Sequence, residues 1–239
     1  MWYDNKKGQD LESNDPIWSK KLNKVYWAGS TTGCRNREHL AGEPSWQSHR
    51  PRFVEMTRQL SPDRMFSFLA QQANGVWTKY SSNEILGQLY NTKFSGAVQC
   101  DEKECERMKE YYQIGEPEDR YEPFKYRLLM DLDGNTFSGR FYDFLRSHSC
   151  PLKQTIFREW HDERLYPWVH YVPVSTGMED LPEIVRYLAL TDEGSAIAKT
   201  IADNGIKAYE RMLRREDMAI YLYRLFLEFG RVSSDGRTS

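Results

Sequence analysis

Residues 124–134, FKYRLLMDLDG, form a near-continuous apolar run that stops at two aspartates and a glycine. A strand of that composition is covered on both faces, as the central strand of a parallel sheet is, whereas a half-wetted antiparallel strand alternates. The flanking sequence supplies the cover. NKVYWAG (23–29), FSGAVQ (94–99), PLKQTIF (151–157) and WVHYVPV (168–174) read as further strands. Between and after them lie helical patterns. WQSHRPRFVEMTRQL (46–60) spaces Trp46, Phe53, Met56 and Leu60 at roughly helical intervals, and CDEKECERMKEYY (100–112) opens with Asp101 and Glu102. TFSGRFYDFLRS (136–147) places Phe137, Phe141, Phe144 and Leu145 on one stripe, with a helix starting near Ser138 or Gly139. MEDLPEIVRYLAL (178–190) is another helix, and residues 193–213 form a further one or a broken pair. AIYLYRLFLEFG (219–230) closes as a helix expected to bury Tyr221, Leu222, Leu225, Phe226 and Phe229. Strands alternating with helices predict an α/β fold, a mostly parallel sheet flanked by helices, with ligands bound at the carboxyl ends of the strands.

A chain of 239 residues with 14% aromatics can bury one full core. The reading is a polar leader over 1–22, one domain over 23–229 and a flexible tail over 230–239. A formal charge of −2 from mixed signs points toward neither nucleic acid nor an anionic membrane. Mean hydropathy is −0.76, and no apolar run reaches the roughly 20 residues that span a bilayer. The first residues, MWYDNKKGQDLESNDP, contain no secretory signal pattern. Cys34, Cys100, Cys105 and Cys150 are too few for a disulfide scaffold. QCDEKECERM lacks the second Cys or His pair of a zinc site, which leaves a local disulfide or two free thiols.

The stretch DLDGNTFSGRF (131–141) supports two chemistries. Asp131 and Asp133 have the spelling of the Asp-x-Asp pair that holds a divalent ion in many sugar transferases. Alternatively, strand, glycine-containing turn and helix build an anion site. Gly134 and Gly139 let backbone approach a ligand, Thr136 and Ser138 donate hydroxyls, helix amides add partial positive charge, and Arg140 forks onto phosphate oxygens. The plainer alternative is a turn, a helix cap and a surface arginine. His161 and His170 flank YPW in EWHDERLYPWVHYVPV at a spacing that suits no helical ligand pair, and Trp160 and Trp168 fit core positions or a stacking surface.

KYRLLMDLDGNTFSGRFYDFLRSHSCPLKQ followed by EWHDERLYPWVHYVPV resembles the paired signature of glycosyltransferase family 90, which includes the capsule-associated-protein-type enzymes, Rumi-like protein O-glucosyltransferases and fungal xylosyltransferases. VYWAGSTTG and HRPRFVE resemble that family's upstream loop and basic stretch. The resemblance runs from about Val25 to Phe229. It implies the carboxyl-terminal, donor-binding half of a GT-B enzyme: a Rossmann-like domain that binds a UDP-sugar, with glucose or xylose passed to a protein or glycan hydroxyl with inversion. Position by position, Ser138 and Arg140 match the diphosphate contact and Gly134 the glycine opening that loop. Gly29, Ser30 and Thr32 match the first donor-side loop, and Arg52 a second phosphate contact. No cofactor or metal is implied, so the two aspartates become a strand end.

Two departures accompany the match. The family loop reads Trp-Arg-Gly where this chain has Trp27-Ala28-Gly29, which removes a cation from the donor side. The family's general base lies in an amino-terminal domain, and no Asp before Val25 stands in a suitable setting, so the catalytic residue is unassigned. The expectation is a chain that binds UDP weakly and transfers sugar poorly by itself. The family also implies the endoplasmic reticulum or Golgi lumen. A non-catalytic nucleotide-binding fragment and an interaction protein with an exposed apolar face are the competing readings.

Overall fold

The computed structural model describes residues 11, 13–33, 48–58, 67–72, 74–81, 88–116 and 118–234. Cys34, Trp46, Leu60, residues 1–10 and 12 of the leader, and residues 235–239 lie outside them. The chain forms β1 (Leu22–Ser30), α1 (His49–Arg58), β2 (Ser67–Gln71), β3 (Trp77–Ser81), β4 (Tyr90–Gly96), α2 (Glu102–Tyr112) and β5 (Tyr126–Leu132). α3 (Phe141–Leu145), β6 (Cys150–Gln154), β7 (Val172–Pro173), α4 (Leu181–Leu190), α5 (Asp192–Met212) and α6 (Arg215–Ser233) follow. Five strands make one parallel sheet in the order β4-β1-β5-β6-β7. β2 and β3 form an antiparallel hairpin apart from it, between α1 and β4, which the sequence reading did not assign.

The central run behaves as its composition dictates. Leu128, Met130 and Leu132 of β5 join Val25 and Trp27 of β1 and pack on Phe53, Val54 and Met56 of α1, Met108 and Tyr112 of α2, and Leu181, Val185 and Leu188 of α4. Leu129 points to the other face, into a cluster with Tyr26, Tyr126, Phe124, Phe144 and Leu11. Phe141, Leu145, Leu165, Ala208 and Leu213 extend that side. Burying both faces of one strand is what requires helices above and below the sheet.

Local chemistry sets the element ends. Asp101 caps α2 by accepting the Glu104 amide at 3.0 Å, and Thr191 caps α5 by accepting the Gly194 amide at 3.0 Å, each pairing a helix N–H that has no partner within its helix. α5 is a single unbroken helix of 21 residues. Cys100 and Cys105 are joined by a disulfide, while Cys150 is a buried free thiol whose pKa burial pushes up.

Four expectations change. The helix after β5 begins at Phe141 and runs five residues, so Phe137 precedes it and is 48% exposed. WVHYVPV contributes only the two-residue β7, because Trp168 takes a positive φ of 62° that no strand accommodates. Residues read as leader enter the fold: Asp15 is buried, pairs with Lys21 and accepts from the His148 backbone at 2.7 Å. The largest change is α6, which buries none of its residues and extends to Ser233.

Candidate functional site

The carboxyl ends of β1, β5 and β6 meet at one edge of the sheet, where Arg50 ties the loops together. Its Nε donates to the Asp133 carbonyl at 2.7 Å, Nη1 to the Ser30 carbonyl at 2.8 Å and to Thr32 Oγ1, and Nη2 to the Leu132 carbonyl at 3.2 Å. A guanidinium has five N–H donors in a rigid fork and can bridge two strand ends in this way. Arg50 is only 6% exposed, and burial pulls its pKa down to about 10, with the Arg140 charge acting in the same direction. His49 Nε2 adds a bond of 2.7 Å to the Asp133 carbonyl, and Asn135 Oδ1 accepts the Gly33 amide at 3.1 Å. Thr31 pins the same loop to the end of β4, where its hydroxyl donates to the Val98 carbonyl at 2.9 Å and accepts the Val98 amide at 2.8 Å. Gly33 has φ +105°, in the region that favours glycine.

The residues proposed from sequence divide into two groups around this brace. Gly134 and Arg52 line a cavity of about 260 Å³ with Gly33, His49, Asp133 and Gln154. Arg140 lines a different cavity, of about 310 Å³, with Tyr26, Ala28, Glu118, Tyr121 and Phe144. Its Nη1 donates to the Ala28 carbonyl, and its guanidinium lies 6.0 Å from the Trp27 ring and 5.9 Å from Phe144. Burial lowers its pKa. Ser30 ends β1 and Thr32 sits in the loop that follows it, which Arg50 holds; their hydroxyls are 3.4 Å apart. Ser138 is buried just before α3. Gly29 has a packing role: a Cβ there would stand 2.8 Å from Trp27 Cζ2, so glycine makes room for the buried indole. Helix-amide stabilisation of an anion loses its basis, because a single-turn helix carries little dipole.

The two aspartates serve different partners. Asp131 is fully buried and pairs with Lys153 at 3.4 Å, and Lys153 also bonds Glu159 at 2.9 Å and lies 3.9 Å over the Phe141 ring. Asp133 Oδ2 accepts the Ile156 amide at 2.8 Å. Among the described residues no group of three or more His, Cys, Asp or Glu side chains is arranged to hold a metal. His161 is buried beside Tyr142, whose hydroxyl lies 3.1 Å from Nδ1 and accepts from Trp160 Nε1 at 2.9 Å. Burial first, then the Lys153 charge, pushes the His161 pKa down to about 4, against a smaller upward pull from Asp162. His170 accepts the Tyr166 amide through Nδ1 and shapes its own turn.

Sequence reasoning chose Arg52 and passed over Arg50, His49 and Gln154. A signal for Arg50 was present: positions 50, 53, 54 and 57 share one helical stripe, and an arginine in that stripe enters the core with its charge. Gln154 gave none, because its role depends on β6 lying beside β5.

Residues 2–234 match the profile of Glycosyl transferase family 90. An O-glucosyltransferase rumi homolog of Aedes aegypti is 32% identical over 45% of this chain and 27% of its own length. Protein O-glucosyltransferase 1 of Homo sapiens is 28% identical over 46% of this chain and 28% of its own. An uncharacterized protein of Invertebrate iridescent virus 6 is 24% identical over 88% of this chain and 17% of its own. The chain thus matches less than a third of the length of each of these relatives. With the family profile covering nearly every residue from β1 to α6, the chain belongs to glycosyltransferase family 90.

Proposed function

We propose that this chain is the donor-binding half of a GT-B glycosyltransferase that transfers glucose or xylose from a UDP-sugar to a protein or glycan hydroxyl with inversion. The observation that carries this reading is the edge of the parallel sheet where Arg50 holds the β1 and β5 loops together beside two cavities. Ligands of open α/β sheets bind at such edges. The donor contacts are Arg52 and Gly134 at the smaller cavity, Arg140 at the larger one, and Ser30, Thr32 and Ser138 beside them, with Gly29 shaping the first loop. Arginines neutralise the diphosphate without a metal. The general base comes from a second domain, and α6 supports such a partner, because an apolar helix with no buried residue is an incomplete interface. The Cys100–Cys105 disulfide supports a secretory lumen, since disulfides persist in oxidising compartments.

Ala28 favours a second reading, a non-catalytic nucleotide-binding unit. Arg140 already donates to the Ala28 carbonyl, and the cation expected at position 28 is absent. Calorimetric titration of UDP into the chain and into Arg140→Ala, with and without EDTA, tests the donor site. The expected result is binding that survives EDTA and weakens about tenfold or more in the variant, the worth of one charge-assisted hydrogen bond. Absence of binding in both proteins would remove the donor site from this chain.

A further inference from the structure

The smaller cavity concentrates unpaired polar atoms. Asp133 Oδ1, Gln154 Oε1 and Arg52 Nε are all buried and have no hydrogen-bond partner, and all three residues line the same 260 Å³ space. Asp133 and Gln154 are neighbours by topology: Leu132 of β5 stands in register with Gln154 of β6, and Asp133 is the next residue. Their other polar atoms are committed, Asp133 Oδ2 to the Ile156 amide and Gln154 Nε2 to the Thr176 carbonyl at 3.4 Å. Arg52 Nη2 reaches that same carbonyl. The residues that line the cavity thus carry two unpaired acceptor oxygens and a guanidinium, with Ile156 and Phe157 among its apolar members.

Buried acceptors without donors are costly unless something completes them. One carboxylate, one neutral amide and a nearby guanidinium make a poor cation site, because Arg52 opposes the single negative charge. Hydroxyl groups suit the pair of oxygens, and a phosphate on the same molecule suits Arg52. A carboxylate at a strand's carboxyl end accepting from sugar hydroxyls is also how dinucleotide folds hold ribose. We infer that Asp133 and Gln154 form a subsite that reads adjacent hydroxyls of a phosphorylated sugar ring, with Arg52 on the phosphate side. This inference rests on the donor-binding reading and adds to it the residues that recognise the ring. The hydroxyls belong either to the ribose of the nucleotide or to the hexose that is transferred.

Asp133→Asn is a sharp test, because asparagine keeps an oxygen for the Ile156 amide and turns the unpaired acceptor into a donor. Gln154→Leu removes the second acceptor, and thermal unfolding of each variant checks that it is folded. UDP, 2′,3′-dideoxy-UDP and UDP-glucose are titrated into all three proteins. Both variants should bind UDP-glucose about tenfold more weakly than wild type. If ribose is the group read, UDP weakens equally, and dideoxy-UDP binds wild type and variants alike. If the hexose is read, UDP is unaffected and only UDP-glucose suffers. Folded variants that bind every ligand as wild type does would overturn the subsite while leaving the donor reading intact. A wild-type chain that binds none of them would overturn both.

Discussion

β5 and α6 are similarly apolar and meet opposite fates. Leu128, Leu129, Met130 and Leu132 of β5 are buried on both sides of the sheet, whereas in α6 Tyr223, Phe226 and Phe229 are each at least 67% exposed. The difference is one of neighbours. β5 lies between β1 and β6, with helices on both faces, while α6 touches the body near its start, through Arg164–Asp217 and the Trp160–Tyr221 ring contact. Apolarity shows that a segment has to be covered; it does not show what covers it.

Core truncation should give the largest effect. Leu128→Ala removes a side chain that is 1% exposed and is expected to cost about 2–5 kcal/mol in urea unfolding. A loss below about 1 kcal/mol would mean that the sheet is far looser than its burial implies.

The next effect separates the packed body from the bare helix by pH. Burial holds folded His161 at about 4, against 6.5 for the ordinary imidazole, so the unfolded chain takes up the proton first as pH falls. Its contribution to stability is complete above about pH 6.5 and is lost progressively toward pH 4, by up to roughly 3 kcal/mol. His161→Phe should flatten that part of the urea-midpoint profile, and an unchanged slope would place the histidine in contact with water.

The smallest effect is predicted in α6. Leu225→Ala and Phe226→Ala should change the stability of this chain by less than about 0.5 kcal/mol, as exposed substitutions do. A loss like that of Leu128→Ala would show that α6 is covered in solution, which would abolish the contrast with β5.

Much of the fold was legible. The double-sided apolar run of β5, the acidic start of α2 at Asp101 and Glu102, and the alternation of strands and helices depend on neighbours within a few residues. The hairpin of β2 and β3 and the shortness of α3 were missed. Phe137 fits the helical spacing, yet Gly134 N–H bonds the Thr136 carbonyl in a turn that delays the helix to Phe141. The candidate site was legible only in part. Gly134 and Arg140 were named from one motif, and the structure places them at separate cavities.

By itself the sequence determined the class of fold, the central strand and the family, because periodicity, caps and ordered motifs are properties of the chain read in line. Tertiary structure alone decided that Arg50 binds the two loops, that Arg52, Asp133 and Gln154 share a cavity, and that α6 stands bare. Each of these depends on residues far apart in the chain meeting, or failing to meet, in space. Hydrogen bonds and burial act over a few ångströms, whereas strand order and helix docking set which distant groups come within that range.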